Sequence, residues 1–174
     1  MADRRSTREF IIIFILDMLK ILVDPNPKLR KKSKRVTKNE LGSASFQDFI
    51  RQLSTTMQEA DGIGIAAPQV GQNIRLIVIN TDQGPQPMIN PVVLWKSLTK
   101  ELGEEGCLSV PGIFGLVKRA KIILLTYVDW AGKRHQIRAK GLFARVIQHE
   151  VDHLDGILFI DKAEKVISNK DLKP

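Results

Sequence analysis

His149 and His153 stand four positions apart, with Glu150 directly after the first, in Ile147-Gln148-His149-Glu150-Val151-Asp152-His153. On a helix, residues at i and i+4 share a face one turn apart, so both imidazoles can reach one metal ion. A carboxylate beside the first ligand can take a proton from a water activated by that metal. Two imidazoles do not complete a site. The only cysteine of the chain, Cys107, lies in Glu105-Gly106-Cys107-Leu108-Ser109 and is the proposed third ligand. One thiolate and two imidazoles leave one position of a tetrahedral centre open, the pattern of a catalytic rather than a structural metal. Such a donor set suits Fe²⁺, Zn²⁺, Ni²⁺ or Co²⁺. The bland alternative is a pair of surface histidines and a cysteine serving as a small buried apolar side chain. Against it, the chain has three histidines and two of them fall in this spacing.

Elements must bring these residues together. A helix from Lys140-Gly141 through His153 carries the histidines, with Leu142, Val146, Ile147 and Val151 available to a core. A second helix is expected over 45–60, with Phe46, Phe49, Ile50, Leu53 and Met57 at helical spacing, Ser45 as its N-cap and Asp61-Gly62 ending it. Strands are expected at 19–23, 74–80, 88–94, 98–102, 121–128, 133–138 and 157–160, with a loop at 82–87 and a hairpin turn at Asp129-Trp130-Ala131-Gly132. Pro91 suggests an edge or a bulge. Between the helix of 45–60 and the next strand lies Gly62-Ile63-Gly64-Ile65-Ala66-Ala67-Pro68-Gln69, poor in side-chain bulk where something approaches the backbone. Its Gly-x-Gly follows a helix and lacks a third glycine, so it is not a dinucleotide loop. Without repeats or an internal linker, the expectation is one α+β domain with mixed or antiparallel sheets packed around a central metal-binding helix.

The 174 residues suit one sizeable core, and 43% hydrophobic with 26% charged residues is ordinary globular composition. A single cysteine forms no internal disulfide, which favours a reducing cytoplasm. The net charge of +8 favours anionic surroundings. Its densest cluster, 28–35, has no interleaved aromatics and reads as a solvated turn, so no sequence-specific nucleic-acid site is expected. The apolar run Phe10 to Leu16 is too short to span a bilayer and lacks a signal-peptide cleavage pattern. Residues 1–17 are expected to be an extension without stable membrane insertion, and the polar tail 163–174 to fray.

The three segments, Gly62 to Gln69, Glu105 to Ser109 and His149 to His153, resemble in content and order the motifs of bacterial-type peptide deformylase. The resemblance spans 18–162, which it implies is the catalytic domain. It implies hydrolysis of the formyl group from N-formylmethionyl nascent peptides, with release of formate. Cys107, His149 and His153 would hold the metal, Fe²⁺ in most relatives, and Glu150 would be general base and then acid. Gln69 and the backbone N–H of Leu108 would donate to the oxyanion. Ile63, Gly64 and Gly106 would meet the extended peptide, and Leu142 and Val146 would line the methionine pocket. Arg145 is expected at the rim or surface, and His135 as an exposed hairpin residue. Phe114 occupies a position where some relatives carry a peptide-binding arginine, so that contact is not carried over. Relatives can dock on the ribosome through a basic C-terminal helix, which the short mixed-charge tail lacks. Transient ribosome contact is expected from net charge alone. A metalloprotease would use a distant Glu or His as third ligand and have no need of the Gly62 loop. A binding protein without activity would have no need of Glu150 and Gln69.

Overall fold

The computed structural model describes residues 18–168; the N-terminal apolar run and the last six residues lie outside it. In chain order the elements are α1 (Lys38–Leu41), α2 (Ala44–Glu59), β1 (Gly64–Ala66), β2 (Leu76–Thr81), β3 (Gly84–Lys96), β4 (Lys100–Cys107), β5 (Val110–Ala120), β6 (Ile122–Val128), β7 (Arg134–Lys140), α3 (Gly141–Leu154) and β8 (Ala163–Ser168). They form two antiparallel sheets, one ordered β1-β2-β3-β6-β7 and one ordered β4-β5-β8. The α+β architecture expected from the sequence is the one observed.

β2 explains the layering. Leu76, Ile77, Val78 and Ile79 are all buried, because the strand is covered on both faces. Ile77 and Ile79 pack with Ala144, Ile147 and Leu154 of α3. Leu76 and Val78 pack with Phe46, Ile50, Leu53 and Met57 of α2. Each fully buried side chain of this kind contributes about 1.5–3 kcal/mol, so α3 is held between the large sheet and the small one by its apolar residues. That leaves its polar residues inside the protein.

The helix of 45–60 starts earlier than expected. Ser43, not Ser45, is the N-cap, its side chain accepting from the Phe46 N–H. Asp61 ends the helix with φ 51°. The loop expected at 82–87 shrinks to a turn at Asp82 and Gln83, and β3 begins at Gly84. Pro85 and Pro87 are tolerated because β3 there pairs only with β2. Pro91 does lie at a bulge, where the β3–β6 register shifts between Ile89 and Val92.

Three expectations fail at the chain's periphery. Residues 19–23 form no strand; they run as a tether, with Leu22 N–H donating to Gln69 O at 2.7 Å and Asp24 N–H to Ser109 O at 2.9 Å. Residues 157–160 are not a strand either, since Phe159–Asp161 is a 3-10 turn. The segment expected to fray supplies β8, paired with β5 from Ile113 to Val117. β5 itself was not foreseen as one long strand. Its burial is irregular along the strand, so no clean period-2 pattern marks it in the sequence.

Candidate active site

The site forms where α3 passes between two sheet edges, β1 of the large sheet and β4 of the small one. A cavity of about 330 Å³ opens there, lined by Ile63, Gly64, Gln69, Gly106, Cys107, Leu108, Leu142, Val146, His149 and Glu150 among others. His153, 1% exposed, lies behind them. Every residue expected to act on substrate or metal is therefore at or against one cavity.

One ligand-capable atom from each of Cys107, His149 and His153 lies within 4.8 Å of the others. Cys107 Sγ is 3.2 Å from His153 Nε2. His149 Nδ1 is 2.9 Å from Glu105 Oε2. Burial would raise Glu105, but hydrogen bonds from Arg119 and His149 overcome it and bring the carboxyl down to about 2. An ionised carboxylate only accepts, so His149 Nδ1 carries the hydrogen and Nε2 is left for a metal. Burial opposes charge on His149 as well, yet Cys107 and Glu105 raise it to about 10. A metal ion arriving at Nε2 therefore displaces a proton. Burial and then the nearby His149 charge hold His153 well below the usual histidine range, so its lone pair is available. The donor set and its orientation fit a divalent metal.

Glu150 is 4% exposed, and its Oε2 has no hydrogen-bond partner. Burial pushes its carboxyl up to about 7, the His149 charge opposing. Gln69 is turned toward the metal ligands. Its Oε1 accepts from Ala66 N–H at 2.7 Å, which aims Nε2 at Ser109 Oγ (3.2 Å) and Cys107 Sγ (3.5 Å).

Gly64 is needed for a reason the sequence did not show. A Cβ there would stand 2.6 Å from Glu150 Oε1 and 2.8 Å from Val146 Cγ1. Gly64→Ala is expected to displace Glu150 and cut turnover by on the order of 10²-fold, as a misplacement of about 1 Å can. Thermal melting should change far less, because β1 keeps its pairing with β2. Unchanged turnover would show that Glu150 tolerates the shift.

The sequence reading also missed the charged layer beneath the ligands. Arg119 donates to Glu105 through Nε (2.9 Å) and Nη2 (2.8 Å), and to Asp152 through Nη1. Lys162 reaches Asp152 at 2.6 Å. Arg145 does line the cavity, as expected, but its guanidinium is turned inward: Nη1 donates to Glu105 Oε1 and Val117 O at 2.8 and 2.9 Å, and Nη2 to Glu101 O at 2.8 Å. Gly103 makes room for it, since a Cβ there would sit 2.8 Å from the guanidinium carbon. Gln148, exchanging hydrogen bonds with the Ala120 backbone, pins α3 to the end of β5. A Glu two residues before the cysteine was a visible signal for this layer; the arginines carried none. His135 is half-buried rather than exposed, stacked on Tyr127 at 5.2 Å and 2.6 Å from Asp129. Phe114 pairs with Gly106 across β4 and β5, its ring 3.0 Å from where a Cβ of Gly106 would be.

Because Glu105 lies near 2 when folded and 4.5 otherwise, it stabilises the fold above about pH 4.5. That contribution is lost as pH falls toward 2. Metal-free wild type should therefore lose stability across this window more steeply than Glu105→Gln, read as urea midpoints; parallel curves would remove the assignment.

A family model described as polypeptide deformylase matches residues 18–169. Peptide deformylase of Dictyoglomus thermophilum is 45% identical over 138 residues, covering 79% of this chain and 88% of that protein. The crystal structure of peptide deformylase from Thermotoga maritima is 40% identical with a TM-score of 0.81, covering 85% and 99% of the two chains. A class I type b peptide deformylase from Acinetobacter baumannii, with Met-Ala-Ser bound, is 35% identical with a TM-score of 0.79, covering 83% and 98%.

Proposed function

This chain belongs to the polypeptide deformylase family, and from that premise we propose how its residues remove the formyl group from N-formylmethionyl peptides. The observation that carries the reading is the convergence of the Cys107, His149 and His153 donor atoms in the cavity that also holds Glu150. These three residues would hold one divalent metal ion, Fe²⁺ by preference with Zn²⁺, Ni²⁺ or Co²⁺ as substitutes. When bound, the metal supplies Lewis acidity that makes water nucleophilic at neutral pH.

Glu150 accepts the proton of the attacking water and returns it to the departing amine, as the C–N bond of the formamide breaks. A buried carboxyl directly beside the metal ligands is placed for both transfers. Gln69 Nε2 and the Leu108 N–H donate to the formyl oxygen as its carbon becomes tetrahedral. Since the Ile63 carbonyl already accepts from Asn80 N–H at 2.9 Å, strand alternation turns the polar groups of Gly64 to the free edge of β1. An extended peptide adds there as a strand, between β1 and Gly106 of β4. Val146, 6% exposed, and Leu142, 67% exposed at the mouth, receive the methionine side chain with Ile63 beside them. The products are formate and a free amino terminus.

Among the described residues no helix is long and apolar enough to cross a membrane. We assign the work to the cytoplasm, on nascent chains with transient ribosome contact favoured by the +8 charge. The test is anaerobic formate release from formyl-Met-Ala-Ser by Fe²⁺-loaded protein; no release would overturn the reading. Cys107→Ala is expected to lose stoichiometric metal on gel filtration, and retained metal would mean a different third ligand.

A further inference from the structure

Helix α2 covers only part of one face of the large sheet. It packs over β1, β2 and the start of β3, where Val78, Ile89 and Val128 join its apolar side chains. Beyond that, the face continues across the end of β3, β6 and β7 with no element laid over it among the described residues. On this open part, Trp95, Leu124 and Arg138 stand in one cross-strand row. Trp95 is 52% exposed. Along β7, Arg134, Gln136, Arg138 and Lys140 alternate outward while Ala139 is buried.

The charge on this sheet has one sign. None of its five strands contains an aspartate or glutamate, whereas β3 and β7 carry Lys96, Arg134, Arg138 and Lys140. None of those four makes an ion pair among the described residues. Charges on an edge strand discourage strand-to-strand aggregation. Either sign would serve that purpose, and it gives no reason for an exposed tryptophan in the same row. Lys140 adjoins Gly141 and Leu142, so the cationic strand runs to the mouth of the cavity.

We propose that the open face of β3, β6 and β7 binds structured RNA without sequence specificity. The β7 cations neutralise backbone phosphates, and Trp95 stacks an unpaired base. The basic cluster at 28–35 has no aromatic partner and is not the principal site. Such a surface would hold the cavity mouth toward an RNA-rich particle. The proposal stands apart from the deformylation chemistry, and the two are measured separately.

The test is fluorescence anisotropy with full-length metal-loaded protein and a fluorescein-labelled RNA hairpin bearing a single-stranded loop. Wild type should bind at about 50 mM salt and weaken about tenfold or more at about 200 mM. Arg134→Glu/Arg138→Glu should weaken binding at least about tenfold, and Trp95→Ala about fivefold or more. Lys31→Glu/Lys32→Glu, an equal change in net charge, should cost less than about threefold. Formate release from formyl-Met-Ala-Ser, unchanged in all variants, reports that each is folded. Equal losses in the two double variants would reduce the effect to net charge and overturn the proposal. So would absence of RNA binding at low salt, or binding of phosphatidylglycerol vesicles without binding of the hairpin.

Discussion

Glu150→Gln is expected to lower formate release by on the order of 10³-fold while metal content stays stoichiometric. The amide keeps the shape of the side chain against Gly64 and Val146, so what it removes is the capacity to take and return a proton. The same substitution has a stability signature of opposite sign. In the metal-free protein Glu150 is raised from 4.5 to about 7. A carboxyl raised on folding stabilises the fold fully below about pH 4.5, and that contribution is lost as pH rises through 7. Above pH 7 the wild type buries a carboxylate at a relative disadvantage of about 3 kcal/mol, which the E150Q variant escapes. Urea midpoints of the metal-free proteins should therefore diverge in favour of the variant between pH 5 and pH 8. Comparable turnover in the two proteins would sink the role of Glu150; parallel midpoints would sink only the account of its burial.

Arg119→Met should be the most destabilising single change in the layer beneath the ligands, by about 3–5 kcal/mol. Arg119 is 5% exposed and holds two largely buried carboxylates, Glu105 and Asp152. Its loss strands both charges. Lys162 still meets Asp152, and Arg145 still meets Glu105, so part of the cost is recovered. The effect should also reach the metal, because Glu105 orients His149; a fall in metal affinity of about 10–100-fold is expected. Urea denaturation and competition with a chelator measure the two effects. A cost below about 1 kcal/mol would mean that the charged layer is not what fixes α3 against β4 and β5. In a cycle with Asp152→Asn the two changes should be far from additive, since the two side chains pair directly with each other.

The chemistry of the centre was readable in the chain because it depends on residue types at short spacing. Two imidazoles four apart are a local fact that helical periodicity alone turns to one side, and the glutamate after the first and the single cysteine were visible by residue type. The two long helices and most strands of the large sheet followed from residue pattern for the same reason, whereas the single turn Lys38–Leu41 did not. β2 was legible although buried on both faces, since four successive apolar residues bounded by turns have few other readings.

Contacts between distant segments left no such trace. β8 lies in a polar stretch whose strand character comes only from the free edge of β5 that it pairs with. Residues 19–23 have strand-forming side chains, but Leu22 donates to Gln69, and Asp24 just beyond donates to Ser109, and neither acceptor lies in a strand. Arg145 and Arg119 look like surface residues in the chain. Arg119 is buried and Arg145 half-buried because β4 and β5 fold over α3 and bring Glu105 within reach. Gly64 was readable as a place without bulk, but only the packing of β1 against α3 shows that the space is filled by Glu150. The sequence by itself determined which atoms can bind a metal and move a proton. Tertiary structure decided how Glu105 ionises, which nitrogen of His149 is free and how far Glu150 is raised, because those properties depend on burial and on charges brought together from opposite ends of the chain.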